Sequence, residues 1–173
     1  MKVTLGLAGV VFALGLLAAA CGGGDEYEGW KTYTNEIHGY TLKYPGDCTG
    51  GKDAEPDPQA QTGQQFSGPL VDNERWPCLQ VSHHDSEFYH PPAGTDVEQY
   101  IIDSGMPYDE IDTEFEVAGL PTVHVVEKGS PQAYDSDSYY FIKDDQLFQI
   151  QILHCGKEDW ELYNKFLESF SFD

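Results

Sequence analysis

The chain has 173 residues, with 30 acidic side chains against 9 lysines and arginines and a net charge of −21 at pH 7. A surface that acidic repels phosphate backbones and anionic headgroups, which excludes nucleic acid as a partner and leaves any membrane contact to something other than the domain's own charge. The length suits one domain with a single core of ordinary size.

In chain order, the first element is a leader. Lys2 forms a short positive region, residues 5–17 an apolar run, and Ala18, Ala19 and Ala20 the small residues a signal peptidase requires. The run falls short of the roughly 20 apolar residues that span a bilayer. "LLAAAC" is similar to the lipobox of bacterial lipoprotein precursors, with Ala18 where Leu is commoner three residues before the Cys. That resemblance implies cleavage after residue 20 and a diacylglycerol thioether on Cys21. The alternative is an ordinary secreted product with Cys21 free or removed. On the lipoprotein reading, residues 1–20 are the signal peptide, 21–29 an anchored linker opened by Gly22, Gly23 and Gly24, and 30–173 the domain. Loss of Lys2 takes the mature charge to −22.

Within the domain, "GWKTYTNEIHGYTLKYPGDC" predicts two strands about a turn at His38-Gly39, because Tyr40, Leu42 and Tyr44 alternate with Thr41 and Lys43. From Thr49 to Gln65 the chain is poor in apolar residues and reads as a long surface loop. "CLQVSHH" returns to strand. "GTDVEQYIIDSG" predicts a helix with a Thr95 and Glu98 capping box and a stop at Gly105. Two hairpins follow, one about Ala118-Gly119 and one about Asp144-Asp145. "KEDWELYNKFLESFSFD" closes the chain as an amphipathic helix, with Trp160, Tyr163, Phe166, Leu167 and Phe170 at spacings of three and four. Strands joined by hairpins and covered by two helices define an α+β class with a mainly antiparallel sheet.

An oxidising compartment makes the cysteines candidates for bridging. Cys48 and Cys78 flank the long loop, and a disulfide closing about 30 residues would add roughly 3 to 4 kcal/mol in the chain-entropy model. The expected pair is Cys48 to Cys78, with Cys155 buried and free.

Three stretches carry a wider resemblance. "YTNEIHGYTLKYPGD" resembles the opening of PsbP-like domains, "FEVAGLPTVHVVE" looks like their central hairpin, and "YNKFLESFSF" looks like their closing helix and Ser-Phe ending. Cys48 departs from the Trp that the family commonly places just after Tyr-Pro. The resemblance implies the Mog1/PsbP-like fold, an α/β/α sandwich around a twisted antiparallel sheet. It implies structural roles for Tyr44 and Pro45 at a strand end, Gly119 in a turn and Phe170 in the core, and no catalytic residue. Photosynthetic members of the family assist the oxygen-evolving complex with its manganese and calcium, and Mog1 engages a small GTPase.

The residues themselves offer one reactive stretch, "HHDSEFYH". His83, Asp85 and Glu87 would share one face of an extended strand with His90 just beyond, a donor set suited to Zn²⁺ or Mn²⁺. Asp135, Asp137, Asp144 and Asp145 offer oxygens for Ca²⁺ but lack the Gly and distal Glu of an EF-hand and read as solvated turns. His154 and Cys155 are adjacent and would face apart in a strand. The sequence has no nucleophile elbow, phosphate loop, Cys-x-x-Cys or His-Glu-x-x-His. The expectation is a non-catalytic, lipid-anchored protein of the cell envelope that binds or helps assemble an envelope protein partner and needs no cofactor. The alternative is a divalent-metal binder using His83, Asp85, Glu87 and His90.

Overall fold

The computed structural model describes residues 26–50, 54–71, 74–75, 77–83, 91–129, 134–154 and 159–173. Its first hairpin joins β1 (Trp30–Asn35) to β2 (Tyr40–Pro45), in antiparallel register from Trp30 opposite Pro45 to Asn35 opposite Tyr40. Alternation decides its faces: Tyr40, Leu42 and Tyr44 are buried. Asn35 is buried as well and organises the turn, its Oδ1 accepting the N–H groups of Ile37 and His38 at 3.0 and 2.9 Å. Its Nδ2 donates to the Ala60 carbonyl at 2.9 Å, and the Tyr33 hydroxyl donates to the Asp57 carbonyl at 2.8 Å. These bonds fasten the long loop to the hairpin and give the Asp57 and Ala60 carbonyls partners without regular structure.

The main sheet has six strands in the order β3-β6-β10-β9-β8-β7, all paired antiparallel: β3 (Gly63–Ser67), β6 (Cys78–His83), β7 (Glu110–Val117), β8 (Leu120–Glu127), β9 (Ser136–Lys143) and β10 (Gln146–Leu153). β4 (Leu70–Val71) and β5 (Glu74–Arg75) pair only with each other among the described residues. The predicted surface loop therefore ends earlier than the sequence suggests, since Gln64 and Gln65 belong to β3. Phe66 is its one large apolar side chain, too little for a visible period, yet it is fully buried.

Both faces of the sheet are covered. On one face, α1 (Val97–Ser104) sets Val97 and Ile101 against Val123, Val125, Tyr140 and Leu147. The cap of this helix is Asp96, whose side chain accepts from Gln99 N–H at 3.1 Å, and not Thr95, whose hydroxyl donates to the Pro92 carbonyl. Gly105 ends it in the left-handed conformation, as expected. On the other face, α2 (Trp160–Glu168) and the β1–β2 hairpin enclose the larger core around Phe66, Tyr139, Phe141, Phe148, Ile150 and Phe166. The result is the expected α+β sandwich of helices about an antiparallel sheet.

Two details of α2 differ from the amphipathic reading. Trp160 is 43% exposed, and the helix is capped at Ser169, before the buried Phe170. Past the cap, β11 (Ser171–Phe172) pairs with β2, Ser171 opposite Thr41 and Phe172 opposite Tyr40. A two-residue strand has no period to read.

"EIDTEFEV" in β7 reads as unbroken alternation, but the register against β8 shifts between Asp112 and Phe115. Asp112 stands opposite His124 and Phe115 opposite Thr122, so three steps on β7 match two on β8. Opposed residues share a face, which puts Asp112 and Phe115 both on the α2 side.

Candidate functional site

Beside that irregularity, the β7–β8 hairpin and the end of α2 enclose an open groove of about 510 Å³. The turn at Ala118 and Gly119 forms its lip, both residues with positive φ, 53° and 72°. Its floor is apolar: Phe115 and Val117 from β7, Leu167 and Phe170 from α2 and its exit. Glu114, Glu116 and Glu168 also line it and are exposed, and no lysine or arginine is among the described lining residues. Of the apolar lining, Phe115 is half-buried and Val117, Leu167 and Phe170 are buried. The groove presents no nucleophile, base and oxyanion donor converging on one reacting atom.

A second cluster lies on the α2 side of the same sheet. Asp137 in β9 is 2% exposed, and its carboxylate is held between two imidazoles, His124 Nε2 on Oδ1 and His154 Nε2 on Oδ2. The His124 ring stacks on Tyr139 at 4.5 Å and 7°, while His154 meets Trp160 edge-on at 5.6 Å. Burial, then the charges of Asp137 and Asp112, push the Tyr139 hydroxyl well above its ordinary range, so it stays protonated. Sequence reading treats Asp137 as a turn residue and misses this cluster. The available signal was parity: Asp137 shares its side of β9 with Tyr139 and Phe141, and His154 follows Phe148, Ile150 and Ile152 in steps of two.

Of the metal set named by the alternative reading, only His83 falls within the described residues. Asp85, Glu87 and His90 lie outside them. His83 ends β6 and is 1% exposed, its ring 3.6 Å from the His38 ring and within 6.0 Å of both Tyr40 and Phe148. The side chain offered as a metal ligand is therefore in the core. Among the described residues, no three His, Cys, Asp or Glu side chains are grouped to hold a metal ion.

The cysteines require a correction. Cys48 is a free thiol, 1% exposed in the core, and burial, with the charge of Asp47, pushes it up to about 12. Cys78 is in a disulfide, so its partner is not Cys48. The loop argument failed because Cys48 turns inward after Pro45, its N–H donating to the Pro45 carbonyl at 3.0 Å. Cys21 and Cys155 both lie outside the described residues.

No protein-family model matches the chain, and no curated protein matches it in sequence. Solved structures do. The solution structure of cyanobacterial PsbP (CyanoP) from Synechocystis sp. PCC 6803 superposes with a TM-score of 0.52 at 14% identity, covering 90% of this chain and 99% of that one. The fold is PsbP-like. A crystal structure from Bacteroides thetaiotaomicron VPI-5482 matches with a TM-score of 0.54 at 10% identity over 84% of this chain, which spans about half (49%) of that protein. In this PsbP-like fold the groove lies between the hairpin and the closing helix, the two later stretches that carried the resemblance.

Proposed function

We propose that this chain is a non-catalytic, lipid-anchored protein of the cell envelope that acts as a protein-binding or assembly module. The lipobox-like "LLAAAC" supports an anchor on Cys21. The single observation that carries the binding role is the open groove, in which the half-buried Phe115, beside the buried Val117, Leu167 and Phe170, is flanked by three exposed carboxylates. Two covalently attached acyl chains hold a protein at a membrane where one does not, each buried CH₂ contributing about 0.8 kcal/mol. The domain's acidity then keeps it off anionic headgroups and facing outward.

The test is cross-linked capture of the native anchored protein from host envelope membranes, with Cys21→Ser as the unanchored control. The expected result is a stoichiometric envelope protein that is lost with the anchor and that rebinds the anchored protein once purified. Recovery of the chain alone, or a Cys21→Ser protein that still partitions with detergent, overturns the reading.

A further inference from the structure

Resting on that binding role, we propose that the groove and the open edge of β7 together receive an extended segment of a partner protein, alternating basic and apolar residues, that adds to the sheet as its next strand. β7 is the outermost strand on its side of the six-stranded sheet, and no described strand pairs with its outer edge. Every residue from Glu110 to Glu114 is exposed. The Glu114 N–H is taken by Asp112 Oδ1 at 2.9 Å, and the remaining outward N–H and C=O groups are satisfied equally well by water or by another strand, an added peptide taking its affinity from them and its specificity from alternate side chains.

The side-chain pattern follows from the register. Residues of an added strand opposite Phe115 and Val117 share their face, the side of α2, where Phe115 is half-buried and Val117, Leu167 and Phe170 are buried, so apolar side chains there would extend the groove lining from Phe115 outward. Residues in between stand opposite Glu114 and Glu116, which call for lysine or arginine. Other occupants fit less well. A second copy would bring its own Glu110, Asp112, Glu114 and Glu116 against these, and like charges directly opposed destabilise a strand pair. The chain's own first 25 residues carry Lys2 as their only lysine or arginine. The register shift between Asp112 and Phe115 gives the edge an irregularity that discourages pairing with a straight strand, so the fit falls on the segment from Glu114 to Val117.

The probe is an eight-residue peptide alternating lysine with valine, with a glutamate-valine twin, titrated against the native chain in detergent by fluorescence anisotropy and followed by amide hydrogen exchange. The lysine peptide is expected to bind, to slow exchange in β7, and to weaken at 0.5 M salt. Glu114→Lys with Glu116→Lys should cost at least about tenfold in its affinity and confer binding of the twin, since both side chains are exposed and the fold is spared. Glu98→Lys with Asp103→Lys, exposed on α1 across the sheet, should change affinity by no more than about twofold. Equal losses from the two double variants would mean that bulk charge alone attracts the peptide, and would overturn the site, as would unchanged exchange in β7 or no binding. Capture from membranes separates the two levels. An envelope partner held equally well by Glu114→Lys with Glu116→Lys keeps the binding role and removes this site, whereas no partner at all removes both.

Discussion

Asp137 is an acid on an aromatic stripe, and the two imidazoles account for its being tolerated there. A buried carboxylate without donors carries a desolvation penalty of several kcal/mol, whereas one that accepts from His124 and His154 retains its partners. Asp137→Ala leaves two imidazole N–H groups facing a void, and it should lower unfolding stability by about 3 kcal/mol. Urea denaturation at pH 7 checks this, and a loss below about 1 kcal/mol would show that the histidines re-pair with water. Legibility at this scale was uneven. Tyr40, Leu42 and Tyr44 are core residues as their alternation suggests, because a local period encodes which way a side chain points. The His124, Asp137 and His154 contact was hidden, since it depends on how three strands align, and nothing within any one of them states that alignment. Cys48 misled for a related reason. Loop length says how much a bridge would stabilise, but not where its thiol points.

At the scale of elements, turns were the most readable feature because their chemistry is local. Ala118-Gly119 and Asp144-Asp145 both connect strands with positive φ at both central residues, the geometry that matches strand twist in a two-residue hairpin. In the first of these, Ala118 sits at φ 53°, where a β-carbon is strained. Ala118→Asn gives the preferred Asn-Gly pair and should stabilise by about 0.5 to 1 kcal/mol, read as a higher thermal midpoint in calorimetry. A lower midpoint would mean that the alanine methyl contributes packing at the groove lip. The reverse change, Gly119→Val, places a β-branched side chain at φ 72° and should be destabilising by more than that gain. β3 and β11 were not readable. One has a single large apolar residue, the other has two residues in all, and both owe their conformation to the strands beside them.

For the whole molecule, the excess of acid is the property that sequence established with least inference. A net charge of −21 on a chain of 173 residues means self-repulsion, which opposes the compact state and falls with screening. Raising sodium chloride from about 20 mM to about 500 mM should therefore raise the thermal midpoint by a few degrees. A flat or falling midpoint would show that ion pairs such as Lys165 with Glu161 outweigh the repulsion. The acidic groove is one local concentration of this charge, and the PsbP-like sandwich supplies the rigid edge on which it is displayed.

β11 also sets an order of events. Ser171 and Phe172 pair with Thr41 and Tyr40, and the N–H of Asp173 donates to the Gly39 carbonyl at 3.1 Å, so strands separated by about 130 residues close one sheet. A chain emerging N-terminus first makes β1 and β2 together, long before β11, the neighbour on the other edge of β2, exists. During that interval β2 has hydrogen-bonding groups with nothing to meet and Tyr40 has no Phe170 to stack on, a contact of 5.0 Å in the finished fold. Completion of this sheet therefore waits for the final residues, a pairing of high sequence separation of the kind that slows folding.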